Sequence, residues 1–265
     1  MIMGFGLNNP GTGSNCSEKV LRIMLDTGDE AVLHILTETE LILARRGEPF
    51  RKFMYRDLSR DTRCRLLFFG EENSWYTWLI CEEQQLATLV ISEVFPTGGE
   101  SFRQRIYPGA IRVFQKETPF LRHGFTDMLV GEKIAWQFSP RDSILTYFVN
   151  ESYIRAALLS DEQWAEDCRK LPSDLAGLLQ PMLEEPAEYL KIAHGLFLIC
   201  VSVRNRTRID PECSGLDAVF VLDIEALQAD GRILDMRGAF HPFSVCGRRV
   251  LSAEGLETAE SPYLI

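Results

Sequence analysis

Residues 63–95 read RCRLLFFGEENSWYTWLICEEQQLATLVISEVF, and this stretch decides the fold. Three apolar runs, Arg63–Gly70, Trp75–Cys81 and Leu86–Phe95, alternate with polar breaks. The first break, Glu-Glu-Asn-Ser, has the composition of a tight turn, and the second is charged. Short strands at such close spacing predict an antiparallel sheet that curls into a small barrel or sandwich.

Working upstream, Ala31–Thr37 and Glu40–Arg45 flank a polar tip and predict a hairpin. Downstream, Pro96-Thr97-Gly98-Gly99 breaks the chain. Phe102–Tyr107 and Ala110–Gln115 then flank Pro108-Gly109, which reads as another turn. About seven strands between Ala31 and Gln115, followed by one helix, resemble the element order of a pleckstrin-homology-like domain.

After Thr118 the pattern predicts helices. Thr118 can cap, and Pro119 start, a helix running to Val130. Asn150 is a candidate cap for Glu151–Leu159, while Ile144–Val149 fits strand or helix. Ser160 to Gln163 matches a capping box, and Ser173 can cap a third helix that Pro181 would kink. A fourth helix, Ala187 to about Cys200, would align Tyr189, Ile192, Ala193, Leu196 and Cys200 on one face. Arg204–Gly215 reads as a loop, Ala218–Ile224 as a buried strand, and Ile233–Met236, Phe243–Val245 and Val250–Leu251 as short strands. No internal repeat is legible.

The expected architecture is therefore α+β. A flexible leader, 1–16, precedes a β-rich region, 17–117, of barrel-like or pleckstrin-homology-like order. A mainly helical region, 118–205, follows, and a loop with short strands, 206–265, packs on the same core.

Composition bounds the function. The chain has 265 residues and a net charge of −10, which disfavours broad nucleic-acid binding. Its longest apolar run, Ile192–Val203, is 12 residues, against the ~20 needed to span a bilayer. No transmembrane segment is expected. The seven cysteines, Cys16, Cys64, Cys81, Cys168, Cys200, Cys213 and Cys246, include no C-x-x-C pair and suit free thiols in a reducing, cytoplasmic or nuclear compartment. Met1–Asn15 lacks the basic start of a signal peptide, and its glycines lack the Gly-Lys-Ser/Thr of a P-loop. No cofactor and no bound metal are expected.

Four constellations carry potential chemistry. Arg45 to Arg65 holds eight basic residues, Arg45, Arg46, Arg51, Lys52, Arg56, Arg60, Arg63 and Arg65, against Glu48, Asp57 and Asp61, a net +5. Phe50, Phe53 and Tyr55 interleave. Such a stretch can grip phosphates, acidic partners or lipid head groups, or it can pair with the chain's own acids. Asp217, Asp223 and Glu225, with Asp230 and Asp235 beyond, form an acidic set that would suit Mg²⁺ if the oxygens converged. Asp223 equally suits a helix cap, and Asp230-Gly231 a turn. His241, Ser244 and Cys246 invite a Cys–His reading, but sequence proximity supplies no third orienting group. The other histidines, His34, His123 and His194, are scattered. Trp75 and Trp78 fall on opposite faces of a strand, so Trp75 is a candidate interface anchor.

These features favour a non-catalytic interaction protein, an adaptor, inhibitor or regulatory subunit. It would hold an acidic or phosphate-bearing partner through Arg45, Arg46, Arg51, Lys52, Arg56 and Trp75. One alternative is an enzyme with a dispersed carboxylate site, Asp217, Asp223, Glu225 and His241, performing metal-assisted phosphoester hydrolysis. Another is a phosphoinositide-binding module.

Overall fold

The computed structural model describes residues 18–95, 102–112, 121–137, 142–160, 184–203, 216–235 and 238–250. They form eighteen strands and no helix. The α+β expectation is overturned, and with it the helical middle.

The first nine strands are β1 (Lys19–Leu25), β2 (Glu30–Ile35), β3 (Glu40–Arg45), β4 (Arg51–Met54), β5 (Arg56–Asp57), β6 (Arg65–Glu71), β7 (Ser74–Cys81), β8 (Leu86–Val94) and β9 (Phe102–Arg112). They form one antiparallel sheet in the order β4-β3-β2-β1-β9-β8-β7-β6-β5. Its two ends, β4 and β5, are separated only by Tyr55. They act as one bent strand that pairs with β3 and then with β6. The meander therefore rolls into a barrel. Its interior is filled by Leu21, Ile23, Leu33, Leu41, Phe53, Leu67, Trp78 and Leu89, among others. Eight strands give an interior just wide enough for such filling.

The remaining strands are β10 (Gly124–Phe125), β11 (Lys133–Gln137), β12 (Asp142–Asn150), β13 (Tyr153–Ser160), β14 (Glu184–Ala193), β15 (Leu196–Val203), β16 (Leu216–Asp223), β17 (Gln228–Asp235) and β18 (Phe240–Arg249). Here β11 pairs with β18, and β14 pairs with both β13 and β15. This is a second meander closed on itself, with β10 added beside β14.

The two barrels are copies of one plan. Leu21 faces Leu33 in the first as Ile134 faces Thr146 in the second. Ile35 faces Leu41 as Phe148 faces Ile154. Arg56 faces Phe68 as Glu188 faces Cys200. Cys81 faces Leu86 as Asp223 faces Gln228. The turns agree as well. Gln85 and Leu227 both take positive φ, 58° and 51°, and their carbonyls accept from Ile111 N–H and Gly247 N–H respectively. Thr37 Oγ1 accepts from the Thr39 amide as Asn150 Oδ1 accepts from the Ser152 amide. The internal repeat lies in pairing and turn geometry, not in residue identity.

Specific expectations fail for identifiable reasons. The predicted 119–130 helix falls partly outside the described residues, and the rest is irregular chain with β10. Glu151–Leu159 is turn and strand β13, and Ala187–Cys200 is the β14–β15 hairpin through His194-Gly195. The helices placed between Asp161 and Leu183 lie outside the described residues. Pro108-Gly109 is not a turn but the middle of β9. The Pro108 carbonyl accepts from Asp26 N–H, so its ring nitrogen faces the side where the β1 ladder has ended and no donor is needed. The pleckstrin-homology-like order gives way because β9 returns to β1 instead of leading into a helix.

Asp230-Gly231 is likewise no turn but part of β17. A Cβ on Gly231 would lie 2.3 Å from Phe220 Cβ and 2.4 Å from the Val219 carbonyl oxygen, so the phenyl-bearing strand occupies the space a side chain needs. Gly231→Ala is expected to destabilise by about 1–3 kcal/mol through overpacking, read as a lowered urea midpoint at unchanged slope. An unchanged midpoint would show that this contact relaxes freely.

The barrels pack side by side through equivalent strands. β6, β7 and β8 are buried on both faces. Their outer residues Leu66, Leu79, Cys81 and Val90 meet Leu190, Leu198, Cys200, Val219 and Val221 of the second barrel. Among the described residues no helix is long and apolar enough to cross a membrane.

Candidate partner-binding surface

The Arg45–Arg65 stretch divides at Tyr55. Its second half is committed to the seam between the barrels. Arg60 Nε lies 3.5 Å from Asp230, and Arg63 bonds both Asp61 and Asp223. Hydrogen bonds from Arg63 hold the Asp61 carboxyl below the usual carboxylate range. Arg65 pairs with Asp57 at 2.8 Å. The Arg56 guanidinium sits 5.1 Å from the ring centre of Phe240, over its face.

The first half lies on the rim of the first barrel. Arg45 pairs with Glu48 at 3.4 Å, Lys52 with Glu40 at 2.8 Å, and Arg51 with Glu71. Arg46 is exposed and, among the described residues, forms no ion pair. β4 alternates because its strand period is two: Phe53 turns into the core, where its ring lies 4.9 Å from that of Phe69, while Lys52 and Met54 face outward. Phe50 in the preceding turn is 80% exposed and Met54 is 65% exposed. A ring and a thioether therefore stand in water beside a set of cations.

Trp75 is a seam residue. It stacks on Phe68 at 5.2 Å, and Phe68 stacks in turn on Phe240 at 4.3 Å. Trp78 points the other way, into the first core. Trp136 is buried in the second core, and Trp164 lies outside the described residues.

The acidic set does not come together. Asp217 and Asp223 sit at opposite ends of β16, roughly 20 Å apart at strand rise. Asp217 is fully buried and is held by Arg232, Ser92 and Gln104. Asp223 receives Arg63 and the Glu225 and Ala226 amides, so it caps a turn. Glu225 lies 3.4 Å from His194. Asp230 is raised above the usual range by burial. Among the described residues no three His, Cys, Asp or Glu side chains gather as a metal would require.

His241 lies 3.5 Å from Asp235. Cys246 is five residues along the same strand, on the opposite face, so the two do not form a Cys–His pair. His34 sits on an outer face against Glu18, and His194 is exposed in a turn. Cys64, Cys81, Cys200 and Cys246 are free thiols. The contact between Cys64 and Cys81, together with burial, pushes the Cys81 thiol up.

Sequence reasoning missed the most polar part of the seam. Arg232, fully buried, donates to Thr77, Ser92 and Asp217, and Gln104 completes the carboxylate. These residues are distant in sequence, and no local pattern joins them. No family model matches the chain, and no curated protein matches it.

Proposed function

We propose that the protein is a non-catalytic interaction protein, an adaptor, inhibitor or regulatory subunit of the cytosol or nucleus. It holds an acidic or phosphate-bearing partner on the rim of its first barrel. The observation that carries this reading is the rim itself, where Phe50 and Met54 project beside Arg46, Arg51 and Lys52. Exposed apolar side chains add contact area, and guanidinium forks bind carboxylates or phosphates through paired bonds. The ion pairs of Arg51 and Lys52 are solvent-exposed and worth only about 0–1 kcal/mol each, so a partner's anions compete with them readily, whereas Arg45 is half-buried.

The discriminating variant leaves those pairs alone. Arg46→Glu with Phe50→Ser should weaken binding of acidic and phosphoserine peptides by at least tenfold, read by fluorescence anisotropy. The melting temperature should stay unchanged. Raising salt should weaken the wild type in the same assay. Equal affinity in the variant would sink the reading.

A further inference from the structure

We propose that Cys64 and Cys81 form a redox-modification site, a thiol pair at the seam that peroxide converts to a cross-strand disulfide, fastening the turn that leads into β6. This goes beyond the rim reading and uses none of its residues.

The register places the two sulfurs side by side. β6 and β7 form a hairpin in which Glu71 pairs with Ser74 and Arg65 with Ile80. One step further along both chains, Cys64 stands opposite Cys81. Their faces agree as well. Cys64 shares the outer face of the hairpin with Leu66, and Cys81 shares it with Leu79, while Leu67 and Ile80 turn into the first barrel. The parity of the ladder fixes the kind of pair. Only two residues separate Glu71 from Ser74, so that pair exchanges both backbone hydrogen bonds, and every second pair along the ladder does the same. Arg65 with Ile80 is such a pair, which makes Cys64 with Cys81 a non-hydrogen-bonded one. Facing Cα atoms there lie about 4.5 Å apart, inside the roughly 4.4–6.8 Å that a disulfide spans. The thiols already touch: hydrogen bonding with Cys64 pushes the Cys81 thiol up, and burial adds to it.

The barrel plan does not call for cysteine here. The equivalent pair of the second barrel is Leu196 facing Asp223. Among the described residues no other cysteines face each other across strands: Cys200 faces Glu188 and Val219, and Cys246 faces Gln137 and Gln228.

The two thiols take unequal roles. Cys64 follows the exposed Thr62 and Arg63 at the end of a turn, whereas Cys81 lies inside β7 and is 1% exposed. The Cys64 thiolate attacks a peroxide oxygen, the O–O bond breaks, and Cys64 becomes a sulfenic acid. The hydroxide that leaves takes up the proton Cys64 gave up. The Cys81 sulfur then attacks the Cys64 sulfur, and the hydroxyl leaves with the Cys81 proton as water. Two thiols and one hydrogen peroxide thus give one disulfide and two waters. The turn that the bond fastens also reaches the second barrel, through Arg63 to Asp223 and to the His194 carbonyl. A protease cutting after Arg63 must draw the flanking chain into its groove, which peels Cys64 away from Cys81. The disulfide forbids that opening.

The test treats the reduced full chain with hydrogen peroxide below its melting temperature, then alkylates it and maps it by peptide mass. The peptides holding Cys64 and Cys81 should be linked, and dithiothreitol should release them. Cys81→Ser should stop at a sulfenic acid on Cys64, trapped by dimedone, while Cys64→Ser should leave Cys81 unmodified. Trypsin cleavage of the native chain after Arg63 should slow at least tenfold in the oxidised wild type and stay fast in both treated variants. The wild-type mapping needs no variant, so it decides the case even where a serine disturbs the seam. No linked pair, linkage of either residue to another cysteine instead, or cleavage unslowed by the link would overturn the proposal.

Discussion

Arg232→Ala is expected to destabilise the protein by about 3–5 kcal/mol, the cost of leaving a buried ion without its partner. In melting temperature this is on the order of 10 °C. Arg232 and Asp217 are both fully buried at the seam, and the guanidinium also donates to Thr77 and Ser92 of the other barrel. Removing it leaves the buried Asp217 carboxylate with only the Ser92 and Gln104 donors and takes away the bonds to the Thr77 and Ser92 hydroxyls. The double variant Arg232→Met with Asp217→Leu should recover most of the loss, because apolar pairs of similar volume substitute well for buried ion pairs. A single variant within about 1 kcal/mol of wild type would mean that water reaches the seam.

How much of this was legible in the sequence depends on which faces a strand buries. β7 and β8 announced themselves because turn residues bound each apolar run. β14 and β15 misled for the opposite reason. β15 and the end of β14 are apolar on both faces, since one face lines the barrel and the other meets the seam, and only His194-Gly195 separates them. A continuous apolar run of that length reads as helix. Asn150 looked like a helix cap because its side chain does accept a backbone amide, but it does so in a β-hairpin turn. The local chemistry was read correctly and the element wrongly.

The repeat escaped for a deeper reason. A barrel asks only that inward positions be apolar and together fill its interior, so Leu21 and Ile134, or Trp78 and Phe220, answer the same need without matching. What persists between the copies is register and turn conformation, and neither is visible as identity. The basic stretch was legible as composition, but its division at Tyr55 into a rim half and a seam half depends on the second barrel's Asp223 and Asp230.

Lowering the pH from 7 to about 4 should remove about 3 kcal/mol of stability through His123 alone. The residue belongs to the segment that joins the barrels, and it is 1% exposed, with Nδ1 2.8 Å from Thr88 Oγ1 on the outer face of β8. Its neighbour Arg122 is anchored to Asp26. Burial lowers the imidazole pKa from 6.5 to about 4. The sign follows from linkage. Above 6.5 both folded and unfolded chains hold a neutral ring, and no penalty exists. Between 6.5 and 4 the unfolded chain takes up a proton that the folded chain refuses, so stability falls as pH falls. Below 4 both are protonated and the loss levels off. Carboxylates titrate in part of this window, so the comparison is with His123→Leu. The wild-type urea midpoint should fall further than that of His123→Leu as pH drops from 7 to 4.5, because only the wild type carries the histidine term. Parallel curves would show that the ring titrates in the folded chain as it does in the unfolded one, and the segment between the barrels would then not depend on a neutral imidazole docked on Thr88.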